Sequence, residues 1–283
     1  MTPTIGVATV TYKSEGTVAP FLASTAAAST NPVTIVVADN SPSESGETGR
    51  IAESYGARFI ARSTNDGYGS AMNEAVDSLP ADIDFVLISN PDVVLGAQSI
   101  DLLVEAAHKH PRGGAFGPRI VEESGETYPS ARSLPSLRTG IGHAMLGRVR
   151  PSNRWTRRYR LDHDADLVER EAGWLSGACL LVRRSAFDAV SGFDPSYFMY
   201  FEDVDFGARL GKAGWENVYV PTATVMHTGG HSTAQNSRAM ERVHHQSAYL
   251  YLSRKYSAWY LWPLRVFLRA ALYTRSIWVA RGR

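Results

Sequence analysis

An α/β fold, with a mainly parallel central sheet and helices on both faces, is the architecture this sequence predicts, and three observations point to it. Short apolar runs alternate with helix-period segments through the first half of the chain. Polar, turn-forming residues close the runs. The 283 residues, 44% hydrophobic and 20% charged, suffice for one large domain with an appendage and a sizeable core. Regular alternation favours a parallel sheet, because each crossover helix carries the chain back and covers a face.

Ile5–Val10 reads as the first strand and Gly16–Ser29 as an Ala-rich helix. Val33–Ala38 is a second strand, Ile51–Tyr55 a helix and Arg58–Ala61 a short strand. Tyr68–Leu79 is helical, Phe85–Ser89 is a compact strand, and Ile100–His110 is a helix. Beyond them, Ala115–Val121 can start a hairpin, and Tyr128–Arg160, rich in Arg, Pro, Ser and Gly, reads as a long surface loop. Order returns with a strand-like run Trp174–Arg183, a short helix Ser185–Val190 and a helix Asp203–Ala213. Two short strands, Val218–Val220 and Thr224–Met226, precede a helix over Arg238–Tyr256.

In open α/β sheets, ligands bind beyond the carboxyl ends of the strands. Thr11-Tyr12-Lys13, Asp39-Asn40-Ser41, Asn65-Asp66-Gly67 and Asn90-Pro91-Asp92 fall at those ends, which makes them a candidate site from topology alone. A formal charge of +1 excludes bulk attraction to nucleic acid. The single cysteine, Cys179, excludes an intramolecular disulfide and a cysteine-rich zinc site, and its apolar surroundings predict a buried thiol. The first residues lack a basic segment followed by a long apolar core, so a cytoplasmic chain is expected.

Three clusters carry chemistry. Asn90-Pro91-Asp92 delivers a carboxylate from a buried strand, as a Mg²⁺ site completed by substrate phosphates requires, although the same tripeptide is ordinary turn chemistry. Tyr200-Phe201-Glu202-Asp203-Val204-Asp205 opens a helix with three carboxylates. They either cap its dipole or, desolvated by the aromatic neighbours, supply a general base. His227, at a strand end with Gly229, Gly230 and Ser232 behind it, is either structural or a metal ligand through neutral imidazole.

In this order, with Val10-Thr11-Tyr12, Asn65-Asp66-Gly67-Tyr68-Gly69 through Asn73, Gly177 and Gly192-Phe193-Asp194, the clusters resemble the family 2 glycosyltransferases of GT-A fold, with its Rossmann-like sheet. The likeness runs from about Ile5 to Ser232. It implies a catalytic domain over 1–235, with a nucleotide-sugar-binding half (1–115) and an acceptor and catalytic half (116–235), followed by a helical extension (236–283). It also implies that Thr11 and Tyr12 flank the nucleotide base and that Asp39, beside Asn40, accepts its ring N–H. Asn65, Gly69 and Asn73 shape the pocket loop. Asn90 stands in the first acidic position of the family's metal element, Asp92 and His227 bind Mg²⁺ or Mn²⁺, and Asp203, with Glu202 beside it, is the base of an inverting displacement. Ser130-Ala131-Arg132, Gly173-Trp174 through Gly177 and Phe198 through Asp205 look like the rhamnosyltransferase subgroup. That likeness implies dTDP-L-rhamnose as donor and a polyprenyl-diphosphate N-acetylglucosamine as acceptor, with Arg132, Trp174 and Gly177 on the acceptor side.

From Arg254 to Arg283 the chain carries seven Lys or Arg residues, no Asp or Glu, and many Trp, Tyr, Leu and Phe residues. Its charges recur too often for a membrane span. A helix lying in an anionic membrane surface fits them, which would make the protein peripheral on the inner face of the plasma membrane. A helix packed on the domain or on a partner in an oligomer is the alternative. The basic run Arg148–Arg160 either grips the acceptor diphosphate or is a solvated loop. Rival functions are a glycosyltransferase with another nucleotide-sugar donor, and an inactive nucleotide-sugar-binding or scaffold protein. A sugar nucleotidyltransferase lacks support because no Gly-rich, basic loop follows the first strand. An oxidoreductase lacks it because Gly-x-Gly-x-x-Gly is absent.

Overall fold

The computed structural model describes residues 2–41, 46–136, 167–228 and 237–281, with side chains left out at 237–238 and 275–281. The Arg148–Arg160 run, the Gly229, Gly230 and Ser232 that follow His227, and the side chain of Arg275 lie outside these residues.

Strands β1 (Ile5–Thr11), β2 (Val33–Asp39), β3 (Arg58–Ala61) and β4 (Phe85–Ser89) pair in parallel, in the order β3-β2-β1-β4. Helices α1 (Glu15–Ala28), α2 (Gly46–Ser54) and α3 (Tyr68–Asp77) connect them. Side chains alternate across each strand. Val7, Val37 and Leu87 therefore pack with Val18, Phe21 and Leu22 of α1 and with Ile100 and Leu103 of α4 (Ser99–Lys109). On the other face, Ala8, Val36 and Ile88 pack with Met72 and Val76 of α3. Two cores, one on each face, explain why these strands are almost continuously apolar.

The sheet then becomes mixed. After the short β5 (Val93–Leu95) come β6 (Gly113–Glu122), which turns back as a hairpin with β7 (Thr127–Tyr128), and β8 (Ala131–Arg132). The chain continues through β9 (Arg170–Ala172), β10 (Trp174–Leu175), β11 (Cys179–Arg183), α5 (Arg184–Ala189), α6 (Glu202–Lys212) and β12 (Glu216–His227). Strand β11 is antiparallel to β4, β12 runs parallel to β6, and β5 closes the far edge antiparallel to β12.

Several expectations are corrected here. The run Trp174–Arg183 is not one strand. It breaks at Ser176-Gly177-Ala178, so that β10 pairs with β8 in a separate ribbon while β11 joins the main sheet. The expected pair Val218–Val220 and Thr224–Met226 is one strand with a register shift between Val220 and Thr224, where Pro221 cannot donate to the ladder. Strands β5 and β9, three residues each, are too short to register as periodic signals. The stretch expected as loop from Tyr128 contains the end of β7 and all of β8. Cys179 is buried as expected, and burial pushes its thiol up to about 12.

Helix α7 (Ser237–Lys255) packs against the α6 region, with Tyr251 joining Tyr197 and Val204 in a third cluster. A 3₁₀ turn (Trp259–Leu261) leads into α8 (Trp262–Arg281). Among the described residues no helix is long and apolar enough to cross a membrane.

Candidate active site

Parallel pairing sets Thr11 beside Asp39 and Thr9 beside Ser89, so the carboxyl ends of β1, β2 and β4 open on one edge. At that edge, Asp39 accepts from the Thr11 hydroxyl (2.9 Å) and the Ser41 amide (3.2 Å) through Oδ1. Its Oδ2 is buried without a hydrogen-bond partner among the described residues. Burial pushes this carboxyl above its ordinary range, against the pull of those bonds. An open acceptor at the carboxyl edge of the sheet suits a ligand N–H. Beside it, Asn40 donates to the Gly67 carbonyl (3.3 Å) and accepts from Arg62 (2.5 Å), whose guanidinium also reaches Glu74 (2.8 Å). Tyr12 stands at the rim, 39% exposed.

The loop after β3 is set by Asn65, which accepts from the Gly67 amide (3.1 Å). Gly67 has φ +95° and passes so close to the Phe198 carbonyl that a Cβ would collide with it. Gly69 lies close against the Phe193 side chain. Asn73 exchanges two hydrogen bonds with the Phe193 backbone (2.7 and 2.8 Å). Its amide is therefore engaged in tying α3 to the segment after α5, and Asn65 likewise serves its own loop.

The sheet also assembles the second cluster. The Asn90 backbone amide donates to the Ala178 carbonyl (2.8 Å), which fastens the end of β4 to the start of β11. Because β5 pairs with β12 so that His227 faces Val93, the imidazole comes to Asp92, with Nε2 3.1 Å from Oδ1. Both side chains are mostly buried, and the Thr228 amide and hydroxyl donate to the Asp92 carbonyl (both 3.1 Å). One carboxylate and one imidazole, 135 residues apart in sequence, are a donor set that fits a divalent cation sharing its shell with phosphate oxygens. No group of three or more His, Cys, Asp or Glu that could hold a metal occurs among the described residues.

The third cluster starts α6. Tyr200 and Phe201 both have φ +66°, a left-handed conformation costing about 1–3 kcal/mol for each non-glycine residue. This turn aims Glu202 and Asp203 inward. Asp203 Oδ2 accepts from the Gly177 amide (3.1 Å), and Oδ1 accepts from Val204 (2.8 Å). A Cβ on Gly177 would press on the Asp203 side chain, so the absence of a side chain there lets Asp203 approach the Gly177 amide. Glu202 is buried, and its Oε2 has no partner among the described residues. Burial raises both carboxyls above their ordinary range. The neighbouring Asp203 charge adds to the rise at Glu202, while the amides and Arg132 oppose it at Asp203. Asp205, by contrast, pairs with Arg209 (2.6 Å).

Arg132 and Trp174 meet across the β8–β10 ribbon, with the guanidinium 5.6 Å from the indole centroid, at the side of Asp203. One residue that the sequence reading passed over is Tyr68. Its hydroxyl donates to the Gly177 carbonyl (3.1 Å), and burial together with the Glu202, Asp203 and Asp92 charges holds its phenol far above ordinary. Arg62 is a second. Both sit next to flagged residues, Tyr68 between Gly67 and Gly69 and Arg62 one residue past β3, so the strand-end rule could have reached them.

Comparisons with known proteins agree with this geometry. The model of the family described as "Glycosyltransferase like family 2" matches residues 3–244. The chain is 44% identical over 291 residues to the N-acetylglucosaminyl-diphospho-decaprenol L-rhamnosyltransferase of Mycobacterium tuberculosis (strain H37Rv), covering 100% of this chain and 94% of the relative. It is 32% identical over 198 residues to the rhamnosyltransferase WbbL of Escherichia coli (strain K12), covering 67% and 71%. Among solved structures, the fold resembles the Pyrobaculum calidifontis mannosyltransferase PcManGT in complex with GDP-Man and Mn²⁺, with TM-score 0.62, 14% identity, and 98% and 72% of the two chains covered. It also resembles S. aureus TarS 1-349 in complex with UDP, with TM-score 0.55, 14% identity, and 86% and 65% covered. The chain belongs to glycosyltransferase family 2 and is an enzyme of glycosyl transfer on a GT-A-like fold.

Proposed function

We propose that the chain transfers L-rhamnose from dTDP-L-rhamnose to a polyprenyl-diphosphate-linked N-acetylglucosamine, with inversion at the anomeric carbon, in cell-wall or polysaccharide synthesis. The observation that carries this reading is a chain of contacts: Asp203 holds the Gly177 amide, and the next residue, Ala178, holds Asn90 of the Asn90-Pro91-Asp92 turn. A buried base candidate and a phosphate-side element thus share one strand junction. The named relative from M. tuberculosis, 44% identical over its near-full length, supports the choice of sugar and acceptor.

In this mechanism Asp39 Oδ2 accepts the N3–H of the thymine, and Tyr12 covers the base. Asp203 takes the proton of the acceptor hydroxyl as its oxygen attacks the anomeric carbon. The nucleoside diphosphate leaves from the opposite face. Gly177 and Tyr68 keep the Asp203 carboxylate in place, and the β8–β10 ribbon with Arg132 and Trp174 borders the acceptor. Asp92 and His227 would hold Mg²⁺ or Mn²⁺, which when bound offsets the charge gathering on the diphosphate.

The exposed aromatics of the C-terminal helices support a peripheral position on the inner face of an anionic membrane. Trp259 is 82%, Trp262 59% and Phe267 67% exposed. At about 100° per residue, Trp262, Val266 and Tyr273 fall within about 40° of one another on α8, with Phe267 about 100° further round. Arg254, Lys255 and Arg265 serve a different purpose. Arg254 pairs with Asp194 (2.6 Å), Lys255 donates to the Pro135 carbonyl (2.6 Å), and Arg265 donates to the Tyr256 carbonyl (3.0 Å), so these cations dock the helical hairpin on the domain and brace its turn. Aromatics at headgroup depth, with Arg269 beside them, make the contact in this reading.

The test is transfer to a synthetic polyprenyl-diphosphate N-acetylglucosamine from a panel of nucleotide sugars with Mg²⁺, Mn²⁺ or EDTA. Transfer from dTDP-rhamnose that EDTA abolishes is the expected result. Transfer from another sugar would replace the donor and keep the mechanism. Nucleotide binding without transfer or hydrolysis from any donor would favour the scaffold reading.

A further inference from the structure

The catalytic acids sit after a turn that no local preference explains. Two consecutive aromatic residues, Tyr200 and Phe201, hold left-handed backbone at φ +66° without glycine or asparagine to ease it. Such a turn persists only where its surroundings over-determine it. One restraint comes from the nucleotide side, where the Tyr68 amide donates to the Phe198 carbonyl (3.0 Å). The other comes from α7, more than forty residues downstream. There the Ser247 hydroxyl, 5% exposed, donates to the Met199 carbonyl (2.8 Å, 48 residues apart). One turn earlier on the helix, the His244 ring lies edge-on to both Tyr200 and Phe201, each at 5.4 Å. One turn later, Tyr251 packs on Phe201 at 5.8 Å. Residues 244, 247 and 251 recur at three- and four-residue steps, so a single stripe of α7 faces the turn.

We infer that Ser247 is a positioning residue for transfer: its hydroxyl, backed by His244 and Tyr251, anchors the Met199–Phe201 turn from which Asp203 reaches the acceptor. The inference rests on the reading of Asp203 as the base. It gives α7 a part in catalysis beyond carrying the C-terminal hairpin. Without the anchor, the turn relaxes toward ordinary backbone and the carboxylate spends less time at the Gly177 amide. Donor contacts at Asp39 and Asn40 lie on other elements and are untouched.

The experiment compares full-length Ser247→Ala, Ser247→Thr and Ser253→Ala with wild type. Ser253 bonds the Leu250 carbonyl of its own helix (2.9 Å) and controls for the loss of a hydroxyl from α7. With dTDP-rhamnose and the synthetic acceptor, Ser247→Ala should lower kcat roughly 3–10-fold, the scale of one lost hydrogen bond, with donor KM unchanged. Ser247→Thr should restore kcat, and Ser253→Ala should leave it at the wild-type value. Independently of any donor, hydrogen exchange over residues 197–206 should quicken in Ser247→Ala and not in Ser253→Ala. Wild-type kcat in Ser247→Ala, whatever its exchange, or an equal loss in Ser253→Ala, would overturn the inference. If Asp203→Asn keeps its activity, the base assignment fails. If it loses activity while Ser247→Ala does not, only the positioning role fails.

Discussion

The donor-side edge and the acid turn reach the same site by opposite means. Thr11 and Asp39 end buried parallel strands, and their positions follow from strand register, while Asn90 directly follows the end of a third. Glu202 and Asp203 follow a strained turn held by Tyr68 of α3 and Ser247 of α7, and Asp203 reaches across to Gly177 between two sheets. The donor side is a rigid product of topology, whereas the acids depend on contacts between segments far apart in the chain. In the proposed mechanism, binding groups are thus placed by the scaffold, while the candidate reacting carboxylates sit where burial opposes their charge and distant residues hold them.

That contrast breaks most sharply at Asp203. Asp203→Asn should cut turnover by about 10²–10⁴-fold, the usual worth of general-base help, while nucleotide binding by calorimetry stays near wild type. Retention of more than about a tenth of the rate would place the base elsewhere. Next in size, His227→Ala should lower activity about tenfold or more and raise the metal concentration needed for half-maximal rate. An unchanged metal titration would leave the His227–Asp92 contact as a structural ion pair. Gly67→Ala tests the seam between the two regions. Its φ of +95° and the approach to the Phe198 carbonyl predict a loss of at least about 1–2 kcal/mol of stability, read by denaturant unfolding.

The smallest expected effect concerns pH. The carboxyls of Glu202 and Asp203 are raised in the folded chain, so the native state holds more protons than the unfolded one between the ordinary and the raised values. Stability contributed by the pair therefore falls as pH rises through that window, and it is unaffected below the ordinary carboxylate range. Glu202→Gln should leave Tm unchanged near pH 4 and raise it by about 2 °C or more at about pH 8, in the absence of ligand and metal. A Tm rise that is the same at both pH values would show that burial, not charge, sets the difference. Transfer activity should rise with pH along an acid limb above the ordinary carboxylate range, because Asp203 acts when ionised.

The first half was legible because buried strands and their crossover helices are periodic and local, and the topology rule then named the polar strand ends. The family resemblance singled out Gly177, and local pattern also marked the acids as a helix start. It could not separate Asp203 from Asp205, since three carboxylates in one turn look alike until Arg209 takes one of them. It gave Tyr68 no role, because that depends on a carbonyl 109 residues away, and it left open whether Arg254 and Lys255 face a membrane or the domain, where both find partners. The sequence by itself determined the sheet, the family and the residue types at the site, because these follow from periodicity and from spaced motifs. Only the tertiary structure decided which carboxylate is free and buried, that His227 meets Asp92, and what holds the acid turn. Burial and long-range contact are properties of the packed chain, not of any segment in it.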